Sequence, residues 1–368
     1  MRNNPTVKII LGSLLLLAAS CSKKSTTTPT NPQGDTTTTV VTPPKPPVPA
    51  KKWIVSTVAG SIPGFQDGDT TQAQFSYPQG LFADNHGNIW VADEANFAIR
   101  QVTYKGHVTT YASRTIGNPN PTYGNMYALI GDTLGNLYTT ESNYIRKISS
   151  PANSFMWAGA LALDYLDGTG TNAHFDMIGN LTMDHNGNIF LPDYDRKDSI
   201  HIRKVTPDGV VSTLAMQNNT GYPDNGLSNY HYLYAIAVDP TGNLYVSGNG
   251  NCLIKKVDLS GNVSIFAGAG DIGFVDGKGR TAKFFDILGM TCDAAGNLWV
   301  CDGDNHAIRK VTPDGNVSTI AGLGRMGNTD GDSTQATFKY PYGITIDNTG
   351  TVFVADNGNC RIRKLEYK

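Results

Sequence analysis

Short runs of alternating apolar and polar residues fill most of the chain, each run cut off by Gly, Asp or Asn. One figure returns six times: FADNHGNIWVAD, LIGDTLGNLYTTE, LTMDHNGNIFLPD, IAVDPTGNLYVSG, MTCDAAGNLWVCD and ITIDNTGTVFVAD. Period-2 alternation on both sides of a tight Gly turn predicts two antiparallel strands each time. The turn glycines are Gly87, Gly135, Gly187, Gly242, Gly296 and Gly350, spaced by 48, 52, 55, 54 and 54 residues. Each repeat holds four strand-like runs; in the fifth they are GMTCD, NLWVCD, AIRKVT and NVSTIAG. A period near 50 with strand pattern and no helical signal predicts an all-β fold, a six-bladed β-propeller with four strands per blade.

The two ends of this region fit one another. WIVSTVAG (53–60) matches a fourth strand, and the chain stops after RIRKLEYK, a third strand with no successor. The N-terminal strand 53–60 is therefore expected to complete the last blade, which closes the ring and removes two open sheet edges.

At PYGITIDNTGTVFVADNGNCRIRKL and DAAGNLWVCDGDNHAIRKVTPDGNVSTIAG the pattern resembles NHL repeats, with Asn305-His306-Ala307 keeping two residues of the triplet that names them. The resemblance covers 53–368 and is nearest to lipid-anchored, exported bacterial NHL proteins. It implies a six-bladed propeller and no single activity. NHL-like propellers include RNA binders, protein-binding modules, sensor domains and some lyases.

Residues 1–20 have another character. Arg2 and Lys8 precede the apolar run Ile9 to Ala19, which is shorter than the roughly 20 residues of a membrane-spanning helix. Leu17-Ala18-Ala19-Ser20-Cys21 resembles a bacterial lipobox, which implies cleavage before Cys21 and lipidation of its thiol. An ordinary secretory cleavage leaving Cys21 unmodified is the alternative. Ser22-Lys23-Lys24 has no Asp after the cysteine, which by analogy with lipoprotein sorting favours the outer membrane. From 21 to 52 the chain is rich in Thr, Pro, Ser and Lys and cannot form a core, so it reads as a disordered tether. Extended at about 3.1 Å per residue, it would reach roughly 90 Å.

Charge then narrows the partners. Taking the seven Lys/Arg and one Asp before Trp53 from totals of 29 and 31 leaves 22 basic and 30 acidic residues in 53–368. A phosphate backbone needs the opposite balance, so nucleic acid is not an expected partner. The cysteines show no metal-binding or CxxC spacing. Cys252 and Cys360 occupy one repeat position two blades apart, while Cys292 and Cys301 sit where other blades place small core residues.

Antiparallel connectivity assigns the first-to-second and third-to-fourth turns to one face, the turn face. The second-to-third and blade-to-blade loops fall on the other, the loop face. Two features recur on the loop face. Asp-Gly followed by Ala-x-Phe appears as Asp67/Ala73/Phe75, Asp167/Ala173/Phe175, Asp276/Ala282/Phe284 and Asp330/Ala336/Phe338. The simplest reading makes Phe a wedge between blades and Asp-Gly a turn; a ring of carboxylates for Ca²⁺ is the functional alternative, although oxygens a blade apart do not obviously converge. An acid also closes the second strand: Asp93, Glu141, Asp193, Asp302 and Asp356, with Gly248 breaking the series. These acids are expected to accept N–H groups from the loop that follows.

Blades two to four depart from the pattern on that face. Their loops carry Tyr123, Tyr127, Tyr194, Tyr222, Tyr230, His231 and Tyr232 among Asn and Asp. Tyr offers a flat ring with a hydroxyl, suited to stacking on sugars or anchoring a peptide, and these seven are the candidate ligand-binding residues. The competing reading is that Tyr127, Tyr230 and Tyr232 fill the space of the missing Phe. No residues are assigned to catalysis or to a metal. The function expected is a tethered binding module for a glycan, peptide or protein. The alternatives are a metal-dependent lactonase or amidating-lyase-like enzyme, for which His174 and His231 are the only histidines with loop freedom, and a structural subunit of an envelope complex.

Overall fold

An aspartate closes every first-to-second hairpin. Asp293 Oδ1 accepts the N–H groups of Ala295 and Asn297 at 3.0 and 2.8 Å, and its Oδ2 accepts Trp299 Nε1 at 3.1 Å. Asp84, Asp132, Asp184, Asp239 and Asp347 take the same two backbone N–H groups in their own turns. The following glycines hold φ between 79° and 91°, a region closed to most side chains. The Asp-x-x-Gly-Asn signal thus fixes strand register locally, before any blade packs on another.

The computed structural model describes residues 50–113, 126–162, 164–194, 200–217, 233–248 and 252–368. These form six antiparallel sheets. Blade one comprises Pro78–Ala83, Ile89–Asp93, Ala98–Val102 and Val108–Ser113. Blade two runs from Met126–Gly131 to Asn153–Gly159, and blade three from Met177–Ile178 and Thr182–Met183 to Val210–Gln217. Blade four spans Leu233–Val238 to Val263–Ala267, and blade five Ile287–Cys292 to Asn316–Ala321. Blade six takes Pro341–Ile346, Val352–Asp356 and Arg361–Tyr367 from the end of the chain and Trp53–Ala59 from its start. Trp53 pairs with Tyr367 and Val55 with Leu365, so the expected closure by the first strand is the one observed.

Incoming loops protect the outer edges. Gly168–Thr169, Gly277–Lys278 and Gly331–Asp332 each add a short strand to the outermost strand of blades three, five and six. In blade one Gly68 bridges Val108 instead. A propeller edge left bare would present unpaired N–H and C=O groups for aggregation.

The repeated Phe is a wedge, as the sequence suggests. Phe75 is fully buried among Val58, Ala59 and Ile362 of blade six and Leu81, Val91 and Val102 of blade one. Phe175, Phe284 and Phe338 fill the seams between blades two and three, four and five, and five and six. Each such burial contributes roughly 3 kcal/mol.

Around the axis the innermost strands approach so closely that side chains are excluded. A Cβ on Gly343 would lie 1.8 Å from the Gln79 carbonyl oxygen, and one on Gly289 would lie 2.0 Å from that of Tyr342. Gly80 is confined somewhat less closely, 2.5 Å from the Leu129 nitrogen, and blades two and four place the small Ala128 and Ala235 at the same level. On the turn-face side of this constriction lies a cavity of about 550 Å³, lined by Phe82, Ile130, Met183, Thr291 and Thr345 and bordered by the hairpins of Asp132 and Asp184.

Candidate functional site

The third strands supply a feature that the sequence reading overlooked. Arg100, Arg203, Arg309 and Arg363 are completely buried, each held by two aspartates: the one closing the second strand and the one from the incoming loop. In blade five Arg309 Nη1 lies 2.5 Å from Asp302 and Nη2 2.8 Å from Asp276, while the backbone oxygens of Lys283 and Val275 accept further bonds. Asp276 also accepts the N–H and hydroxyl of Thr319 in the outermost strand. One guanidinium therefore ties the incoming loop to three strands of its blade. Buried polar groups must be paired in this way to be tolerated.

Two details of the sequence reading change. The acids closing the second strand do accept a backbone N–H, but from the preceding blade-to-blade loop: Ser76 to Asp93, Asp176 to Asp193, Phe285 to Asp302 and Lys339 to Asp356. The following loop sends an asparagine side chain instead, Asn96, Asn305 or Asn359. Asp-Gly, likewise, is an anchor for arginine as well as a turn. Burial raises the carboxyls of Asp93, Asp193, Asp302 and Asp356, and the facing guanidinium pulls each back, leaving Asp193 and Asp302 at about 6. The two irregular blades differ: blade two keeps an acid–arginine pair and blade four loses both halves. Blade two sets Arg146 against Glu141 and Tyr144, and blade four has Gly248 with Lys255 in place of arginine.

The aromatic neighbours of these arginines reach the surface. Arg100 lies between the rings of Phe65 and Phe75 at 4.9 and 5.1 Å, and Arg309 between Phe274 and Phe284 at the same distances. Arg203 sits between Tyr165 and Phe175. Phe75, Phe175 and Phe284 are internal, whereas Phe65, Tyr165 and Phe274 are exposed on the loop face, beside Ile62, Leu166 and Ile272. Tyr77 and Tyr340, also exposed there, hold φ of 52° and 50° immediately before a proline, a combination the backbone disfavours.

Of the seven sequence candidates, Tyr123, Tyr222, Tyr230, His231 and Tyr232 lie outside the described residues, as does Cys21. Tyr194 is buried among Ile200, Ile202, Ile236 and Val246, at the seam of blades three and four. Tyr127 is the second residue of the inner strand of blade two. Blades four and six place Tyr234 and Tyr342 at the same position. Although their blades are not adjacent, Tyr342 lies within electrostatic reach of both Tyr234 and Tyr127, and the shared register sets all three at the loop-face end of the inner strands. Burial first, then these two phenols and Glu94, push the Tyr342 hydroxyl well above its ordinary range. Blade one contributes Gln79 at the equivalent position, and its Oε1 is buried without a hydrogen-bond partner. Glu94, half-buried on the loop following Asp93, is raised by burial and by the charge of Asp93, with no donor opposing the shift. Tyr234, Tyr342 and Gln79 could have been found by aligning the six inner strands.

His174 Nδ1 lies 2.6 Å from Asp164, in a half-exposed pair. Among the described residues no group of three or more His, Cys, Asp or Glu side chains is placed to hold a metal ion.

Comparison with known proteins agrees with this architecture. The NHL repeat family matches residues 338–365, from the wedge Phe338 to the third strand of blade six. NHL repeat-containing protein 2 of Gallus gallus is 27% identical over 339 residues, covering 86% of this chain and 42% of its own. The chain thus spans about two fifths of the length of that relative. A crystal structure of an auxiliary nutrient binding protein from Bacteroides thetaiotaomicron superposes with a TM-score of 0.66 at 20% identity, over 86% of this chain and 77% of that one. A gluconolactonase from Xanthomonas campestris gives 0.59 at 14% identity, over 89% and 99%. At such identities the likeness is one of fold. The protein is a six-bladed β-propeller whose last blade matches the NHL repeat.

Proposed function

We propose that the protein is an exported, lipid-tethered propeller that binds a glycan, peptide or protein partner on its loop face, with the channel mouth at the centre of the site. The observation that carries this reading is the shared register position of Tyr127, Tyr234 and Tyr342 with the unpartnered Gln79 amide oxygen. Rings with hydroxyl tips next to an unpaired acceptor suit recognition, because the amide oxygen regains a bond only when a ligand donates one. The surrounding acids of the repeat are occupied in holding arginines, which favours binding over chemistry. Exposed Phe65, Tyr165 and Phe274 widen the surface on the same face. The solved structure described as an auxiliary nutrient binding protein lends the same reading support by analogy of fold. Anchoring rests on the sequence alone, through Cys21 and the segment before Trp53.

Glycan and peptide arrays probed with the purified protein test the binding site. Tyr127→Ala and Tyr342→Ala are expected to lose the array signal; retention of signal by both would move the site elsewhere. For the anchor, palmitate labelling and membrane fractionation of Cys21→Ala should show loss of lipid and release from the membrane.

A further inference from the structure

We infer that the tyrosine-lined mouth of the channel accepts an ammonium group, quaternary as in choline or protonated as in an amine-bearing solute or a peptide's lysine or N-terminus. The inference rests on the reading of this mouth as a binding site and specifies what enters it.

Three observations converge. Tyrosines stand at one register position on the inner strands of three alternate blades, two, four and six, and Tyr342 lies within electrostatic reach of the other two. The faces of such rings carry negative potential and attract cations, most strongly where water is excluded. The remaining polar groups at the mouth are acceptors. Gln79 Oε1 is buried without a donor, and Glu94 is a half-buried carboxylate within electrostatic reach of Tyr342 that has no hydrogen-bond donor or counter-ion among the described residues. A buried carboxylate without a partner is costly, and a cation seated against it recovers that cost.

The rest of the repeat shows how unusual this is. Asp93, the immediate neighbour of Glu94, is satisfied by Arg100, Asn96 and the Ser76 N–H. Blades five and six place Gly303 and Asn357 where blade one has Glu94, and Asn357 is spent on the Pro78 carbonyl oxygen. Glu94 is therefore not required by the architecture that uses the other loop-face acids. Asp286 and Asp304, close together on the loops of blade five, add negative charge to the same face. A neutral sugar could satisfy Gln79, but it would leave the charge of Glu94 unmatched.

Choline and its uncharged isostere 3,3-dimethylbutan-1-ol, titrated calorimetrically into the purified full chain beside a panel of mono- and disaccharides, provide the test. Choline is expected to bind, with the isostere weaker by about tenfold or more. Glu94→Gln should abolish that preference at an unchanged melting temperature, Glu94→Asp should retain part of it, and Tyr342→Leu should weaken choline by a similar factor. Equal binding of choline and isostere, or an undiminished preference in Glu94→Gln, overturns the inference. Saccharide binding without choline binding also overturns it, while leaving the binding-module reading in place. Failure of both classes, together with blank arrays, fells both readings.

Discussion

Arg363 and Asp356 face each other within blade six, Nη1 2.7 Å from Oδ2, and neither side chain touches solvent. Asp330 completes the clamp from the incoming loop, where it also holds Thr57 of the strand that closes the ring. Asp356→Ala leaves a buried guanidinium unpaired and is expected to cost about 3–5 kcal/mol in urea denaturation. Asp330, nearly half exposed, can be replaced by water, so Asp330→Ala should cost clearly less. Equal losses would show that the clamp is not graded by burial.

The two aromatics flanking Arg100 separate stability from binding. Phe75→Ala empties the seam between blades six and one and should cost about 3–5 kcal/mol. Phe65→Ala removes only an exposed ring over the guanidinium, worth about 0.5–1 kcal/mol. Thermal melts of the two variants check the difference, and array binding of Phe65→Ala reports whether the exposed ring serves a partner.

Close approach at the axis predicts a steric effect with a built-in control. Gly343→Ala drives a methyl into the Gln79 carbonyl and should destabilise by about 1–3 kcal/mol or more. Gly135→Ala meets nothing within 4 Å and pays only for its positive φ, about 1 kcal/mol. A smaller loss at Gly343 would mean that the inner strands can separate.

The hairpin aspartates give stability a defined pH dependence. Burial alone would raise Asp293, but donors from Asn297 and Trp299 hold its folded carboxyl below the ordinary 3.8. A carboxyl depressed in the folded state stabilises fully above its unfolded value and loses that contribution as pH falls through the folded one. The stability difference between the wild type and Asp293→Asn should therefore be constant from neutral pH to about pH 5 and shrink below 3.8. Taking the difference removes the opposing behaviour of the raised Asp193 and Asp302. A gap that widens with acid would contradict the assignment.

Most of the fold was legible because the information is local. Asp293, Gly296 and Asn297 determine their hairpin within five positions, and six copies of that device announce six blades. The match of Trp53–Ala59 to Asn316–Ala321 likewise exposed the ring closure. The arginine clamp was harder to read because its members come from three separate segments: Asp276, Asp302 and Arg309 are joined only after the blade folds. An arginine in AIRKV reads as a solvent-facing residue of an alternating strand, yet it is buried. The site was partly legible. Tyr127 was singled out for its loop, whereas Tyr234 and Tyr342 sit within regular strands whose convergence depends on the ring. Glu94 carries no local signal that sets it apart, because what distinguishes it is the pairing of Asp93 beside it with Arg100.

Blade six lacks a third-to-fourth turn; in its place Lys52 and Lys368 exchange two backbone hydrogen bonds, 2.6 and 2.9 Å long, on the turn face. The feature has a mechanical side. Tension applied at Lys52 along the line of Trp53–Ala59 loads every rung from Trp53↔Tyr367 to Ala59↔Ile362 at once, in shear. Tension applied sideways meets the rungs one at a time and peels the strand from Trp53 inward. The closing strand therefore withstands a pull along its own length better than one across it.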